Sequence, residues 1–98
     1  MENLKREKIE ELLGYAVANE LDNVVGVLVH MSKEELTELK AFLWVANRED
    51  PPKYWDALVI QAREKIDRET PLFISNDPRL ADKLRDGISI MEDAGRLS

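Results

Sequence analysis

The side chains that could do chemistry in this sequence fall into three small groups. His30 is the single histidine. It follows a valine-rich run and precedes a helix-capping signal, and no second metal ligand of matching type accompanies it, so a structural or surface position is expected. Two sets of carboxylates, Glu7, Glu10 and Glu11, then Glu34, Glu35 and Glu38, contain pairs at three- and four-residue spacing that share a helix face. Helical bundles build carboxylate-bridged metal sites from such pairs, but those sites also use a Glu-x-x-His pair, which this sequence lacks. Solvated helix faces are the expectation for both sets. The third group is aromatic. Trp44, Tyr54 and Trp55 flank the turn Asp50-Pro51-Pro52, with Arg48, Glu49 and Asp50 at its rim. Aromatic rings beside a polar, proline-fixed turn suit a patch that binds a peptide or a partner helix. The plainer reading of the same tryptophans is that both anchor a core.

Several chemistries are missing altogether. The chain has no cysteine, which removes disulfides, thiolate metal sites and thiol catalysis. No glycine-rich phosphate loop, nucleophile elbow or other catalytic motif is present. Arg79, Asp82, Lys83, Arg85 and Asp86 alternate in sign, as local ion pairing along a helix does. No catalytic residue, cofactor or metal is therefore expected, and the chain is not read as an enzyme. If it has a site, Trp44, Arg48, Asp50, Tyr54 and Trp55 are where partner binding is expected.

The elements that must position these residues read as helices. Leu36, Leu39, Leu43 and Ala46 recur at helical spacing, and Phe42, Trp44 and Val45 widen the stripe until no residue from Ala41 to Ala46 is polar. A helix that is apolar nearly all round is usually central, so residues 32–47 are expected to be surrounded by the others. Ser32 and Glu35 form a capping box at its start. A first helix is expected over 3–20, with Ile9, Leu12, Leu13, Ala16 and Val17 inward. Residues 24–31 are β-branched like a strand, yet Leu21, Val24, Val25, Leu28 and Val29 fit the helical template, and no partner strand exists. A short buried helix is expected there. Pro52 should open a helix running to Arg68, with Trp55, Leu58, Val59, Ala62 and Ile66 inward. Residues 70–75 should make one turn that plugs Leu72 and Phe73 into the core. A last helix is expected over 78–93, with Leu80, Leu84, Ile88 and Met91 inward and Gly95 as its C-terminal cap. Gly14 and Gly87 fall inside helical patterns, each either a close contact or merely tolerated.

Composition narrows the function classes. The chain has 98 residues, 44% of them hydrophobic and 35% charged, as a single globular domain does. Its net charge is -6, and no segment is basic, which argues against direct nucleic-acid binding. The first half carries most of the acidity. The N-terminus lacks a signal peptide's apolar core, and no apolar run approaches the roughly 20 residues that span a bilayer. A cytoplasmic protein without membrane association is expected.

AFLWVANRED, then Trp55, then TPLFISNDPRLADKLRDGI resembles a family of small uncharacterised bacterial helical proteins, a domain of unknown function. Its members carry a helix ending in an L-x-W-L-G-R-G-D-like segment, a tryptophan-bearing helix, and a T-x-x-L-x-x-x-P-x-L-x-D-x-L-x-x-G-L-like tail. The matching positions here are Leu43, Trp44, Arg48, Asp50 and Trp55, then Thr70, Pro78, Leu80, Asp82, Leu84, Gly87 and Ile88. The likeness covers about residues 36–88. Ala46-Asn47-Arg48-Glu49 stands where the family's glycine-bearing turn falls, so a different turn is expected. The resemblance implies a small helical bacterial protein and transfers no catalytic role.

The expectation from sequence is thus an all-α, irregular bundle of four or five helices around residues 32–47. A non-enzymatic module that binds a protein partner or itself is the leading functional reading. The alternative is an acidic antagonist that occupies a nucleic-acid-binding site on a partner.

Overall fold

A computed structural model describes residues 1–97. Six α-helices follow one another: α1 (Arg6–Val17), α2 (Leu21–Val29), α3 (Lys33–Ala46), α4 (Trp55–Arg63), α5 (Thr70–Ser75) and α6 (Leu80–Asp93). A 3-10 turn at Pro52–Tyr54 leads into α4. The described residues contain no strand, so the valine-rich stretch is helical and the fold is all-α.

α3 is the centre, packed against α6 and α4. α1 packs on α6 and α2, and α2 packs on α5. Along α3 the residues Leu36, Leu39, Ala41, Phe42, Val45 and Ala46 are buried, and Phe42 is fully enclosed. Its start is the expected capping box. Glu35 donates its backbone N–H to Ser32 Oγ at 3.1 Å, and Ser32 donates its own to Glu35 Oε1 at 3.0 Å. Gly87 of α6 faces Phe42 so closely that a Cβ there would lie 2.4 Å from the ring. Gly14, in contrast, has nothing within 4 Å of where its Cβ would stand.

Helix ends explain where the expected boundaries move. α1 stops at Val17 because Asn19 turns left-handed, with φ +58°. Asn19 then donates to the Ala16 carbonyl at 3.1 Å, and Glu20 to that of Tyr15 at 2.9 Å. Gly95 ends α6 in the same way, with φ +71°. Its N–H reaches the Glu92 carbonyl at 3.0 Å, and that of Arg96 reaches the Met91 carbonyl at 2.9 Å. The helix expected over 52–68 stops at Arg63. Beyond it Asp67 and Thr70 exchange hydrogen bonds, with the Asp67 N–H donating to Thr70 Oγ1 at 3.0 Å. Such local side-chain bonds offer the backbone an alternative to helix.

The turn after α3 holds a non-glycine residue in a left-handed conformation, and its cost can be tested. Arg48 takes φ +62°, a left-handed conformation, and donates its N–H to the Val45 carbonyl at 2.9 Å. An L-residue there is disfavoured by about 1–2 kcal/mol, whereas glycine is not, at some cost in unfolded-chain entropy. Arg48→Gly is expected to stabilise the fold by about 1 kcal/mol, raising Tm by ~4–8 °C. Arg48→Ala should leave Tm nearly unchanged. A thermal melt in which the glycine variant gains nothing over the alanine variant would refute this.

Three assignments of side chains to a helix face are corrected. Val17, expected inward on α1, is 53% exposed. α5 buries Thr70, Pro71, Ile74 and Ser75, while Leu72 and Phe73 are 53% and 75% exposed. At 100° per residue, positions 70, 71, 74 and 75 form one helix face, and 72 and 73 lie on the other. Glu38 is not on a solvated face. It is 5% exposed and binds the chain ahead of α1. Its carboxylate accepts the backbone N–H of Leu4 at 2.7 Å, of Asn3 at 3.0 Å and of Glu2 at 3.3 Å, and the Asn3 side-chain amide at 2.9 Å. Those amides are turned to Glu38, so the first helix begins at Arg6 rather than Asn3.

Candidate protein-binding surface

The structure places the residues of the aromatic turn at unequal depths. Trp55 is 5% exposed and packs in the core with Leu58 and Ala62, whereas Tyr54 beside it is 54% exposed. Trp44 is half-buried at the core's edge, with Lys65 Nζ 5.3 Å above its ring. Arg48 is exposed and Asp50 half-buried, and among the described residues neither forms an ion pair. The core-anchor reading therefore holds for Trp55. Trp44 and Tyr54 keep solvent-facing surface, each lying under a lysine.

His30 and Glu38, the two candidates set apart from the solvated carboxylates, are tied up locally. His30 is exposed, and its Nδ1 lies 2.7 Å from the Gly26 carbonyl, which accepts from the ring. The Glu38 carboxylate is occupied by amides, as described above. Among the described residues no group of three or more His, Cys, Asp or Glu side chains could hold a metal ion. None of the described helices is long and apolar enough to cross a membrane.

A different surface emerges from α2 and α5. Leu21, Val25 and Val29 form one row of α2 at four-residue spacing. Leu21 and Val29 are 55% and 53% exposed, beside the buried row Val24 and Leu28. Leu72 and Phe73 stand outward from α5, which packs on α2. These four are among the seven large apolar side chains exposed on the described residues, the others being Val17, Tyr54 and Ile60. α2 carries one charged residue, Asp22, and α5 carries none, in a chain that is 35% charged. Depletion of charge together with large apolar side chains is the compositional mark of an interface core.

The edges of this face are polar. Lys40 Nζ lies 5.7 Å from the Phe73 ring centroid, above a hollow of about 180 Å³ that Lys65, Asp67 and Glu69 also line. At the far end a cleft of about 310 Å³ brings Leu21 and Val24 beside Ser75, Asn76 and Leu80. Asp77 borders that cleft, paired with Lys83 and accepting the Arg79 N–H at 2.9 Å. Burial pushes the Asp77 carboxyl up. The hydrogen bond from Lys83, the Arg79 N–H and the charges of both residues outweigh it and hold the carboxyl below the usual carboxylate range.

Two signals in the sequence pointed here. Residues 21–29 and 70–75 are nearly free of charge, and Leu72 and Phe73 are out of register with the inward positions of α5. The second needs the helix bounds, which a six-residue element does not declare.

Fold and surface together define a small all-α domain that turns large apolar side chains of α2 and α5 to solvent. Residues 21–92 match the family described as a protein of unknown function (DUF3775), and the chain belongs to that family. No curated protein and no solved structure matches it. The matched span extends beyond the 36–88 likeness at both ends and takes in the whole α2–α5 face, while α1 lies outside it.

Proposed function

We propose that this chain is a non-enzymatic protein–protein interaction module of the bacterial cytoplasm that engages its partner through the α2–α5 face. The observation that carries the reading is Phe73, 75% exposed on an uncharged helix beside the half-exposed Leu72. Covering one such aromatic side chain is worth about 1.5–3 kcal/mol, so a partner gains much from a few residues. The non-enzymatic part rests on His30, bonded to a backbone carbonyl, and on Glu38, whose carboxylate is saturated by amides. Neither is poised to move a proton to or from a substrate.

The test is capture on the immobilised chain, compared with Phe73→Asp and with Ile60→Asp on α4. The untagged chain and an extract of the native cells are offered separately, at low and high salt. Binding that survives high salt, is lost in Phe73→Asp and persists in Ile60→Asp supports the reading, provided circular dichroism shows all three folded. Binding that ignores Phe73 overturns it. Capture from the extract that ignores Phe73 and collapses with salt favours the acidic antagonist of a nucleic-acid-binding protein instead.

A further inference from the structure

We propose that Glu38, Trp55 and Val59 belong to a receptor for a short bent peptide, which residues 2–4 fill in cis and close to other chains. This inference concerns a region apart from the α2–α5 face and does not depend on it. Three consecutive backbone N–H groups, those of Glu2, Asn3 and Leu4, converge on the one Glu38 carboxylate at 3.3, 3.0 and 2.7 Å. The Asn3 side-chain amide joins them at 2.9 Å. The chain bends at Asn3 and Leu4 as it does so. Successive backbone N–H groups curved around one acceptor are a recurring mode of carboxylate recognition. Of residues 2–5 only Leu4 is sunk into the body, at 1% exposure, while Glu2, Asn3 and Lys5 are exposed. Main-chain hydrogen bonds for affinity and one buried side chain for selectivity are how folded domains hold short peptides.

Acceptor and donors come from different parts of the chain. Glu38, Trp55 and Val59 lie within residues 21–92, which match the family, and residues 2–4 lie outside them. The domain thus carries the carboxylate, and the segment ahead of α1 supplies the N–H groups. Glu38 has no cation partner among the described residues, so its burial rests on those donors. Beside the clamp a cavity of about 380 Å³, lined by Trp55, Val59 and Arg96, leaves room that the segment does not fill. The segment runs directly into α1 at Arg6. So short a tether holds it at an effective concentration on the order of millimolar. A peptide from outside binds only in proportion to the time the segment is off, so the cis contact acts as the closure.

Fluorescence polarisation tests this, with a synthetic peptide of residues 1–8, labelled at its C-terminal end, titrated against the full chain. Leu4→Asp in the protein puts a charge where the apolar anchor is buried and so lifts the segment. That variant should bind the peptide about tenfold or more tightly than wild type does. Adding Glu38→Gln should weaken its binding by about tenfold or more, since the amide keeps one of the two accepting oxygens. A peptide that itself carries Leu4→Asp should not bind. Circular dichroism checks that each variant is folded. Equal binding to wild type and Leu4→Asp, no binding to a folded Leu4→Asp, or binding that ignores Glu38 overturns the receptor. Hydrogen exchange of the wild type decides the matter if Leu4→Asp does not fold. The Leu4 amide should exchange about ten times faster or more than amides in the middle of α3, because the segment opens on its own. Equal protection would mean that it leaves only when the whole domain unfolds, and would overturn the closure as well.

Discussion

Glu38→Ala is expected to destabilise the protein by about 3 kcal/mol and to free the chain ahead of α1. The carboxyl group is buried, has no cation partner among the described residues, and is held by four N–H donors from Glu2, Asn3 and Leu4. A hydrogen bond to a charged group contributes about 1.5–3 kcal/mol, and a buried donor left without a partner costs about 1–3 kcal/mol. The Leu4 amide is the buried one of the set, and the Leu4 side chain is itself 1% exposed, so loss of the anchor also loosens an apolar contact. Against a total stability of about 5–15 kcal/mol this is a large fraction, equivalent to a drop in Tm of roughly 12 °C or more. Glu38→Gln keeps one acceptor oxygen and should fall between the two. Hydrogen exchange provides the local check. The amides of Asn3 and Leu4 should lose protection in Glu38→Ala while those in the middle of α3 keep theirs. A melt within about 0.5 kcal/mol of wild type, the range of an ordinary surface change, would mean the anchor contributes little.

The second large effect is a contrast between two glycines that look alike in sequence. Gly87→Ala places a methyl group where the Phe42 ring stands, 2.4 Å from one ring carbon and 2.5 Å from the next. Phe42 is fully buried between α3 and α6 and cannot swing aside without displacing its neighbours. Overpacking of this kind costs about 1–3 kcal/mol, and here it should sit at the upper end. Alanine recovers about 1 kcal/mol of helix propensity, leaving a net loss of about 2 kcal/mol. Gly14→Ala makes the same chemical change on α1 with empty space around it, so only the gain of up to about 1 kcal/mol remains. The two variants should move the denaturant midpoint in opposite directions. Trimming the ring should relieve the clash, so Phe42→Leu combined with Gly87→Ala ought to cost less than the two single changes added together. Strict additivity, or a Gly87→Ala protein as stable as wild type, would rule out the close contact as the reason for glycine.

Much of this architecture was legible where the relevant physics is local. The capping box at Ser32 and Glu35, the left-handed glycine after α6 and the all-round apolar run of α3 each follow from residues within one or two turns. Helical periodicity also prevailed over β-branching at residues 24–29, since the described chain offers no strand to pair with. The outward turn of Leu72 and Phe73 was not legible. Hydropathy put them inside, but a six-residue helix has too few turns to show its phase, and Pro71, Ile74 and the Asp67–Thr70 bonds set it instead. Glu38 was hidden for another reason. Its spacing from Glu34 describes a helix face, whereas its partners lie about 35 positions earlier in the chain. The aromatic turn separated because Tyr54 and Trp55 are neighbours in a helical start, where successive side chains point about 100° apart.

The unequal burial of the two tryptophans gives the molecule a pair of built-in optical probes. Trp55 lines a cavity with Glu38 and Val59, so its emission reports whether the chain ahead of α1 stays seated. Trp44 lies one helical turn from Lys40, the residue above Phe73, at the edge of the face assigned to binding. A dissolved quencher should reach the half-buried Trp44 more readily than Trp55, which is 5% exposed. Replacing either indole with phenylalanine isolates the light of the other. Events at the N-terminal anchor and at the Lys40–Phe73 edge thus become separable by colour and by quenching, with no dye attached.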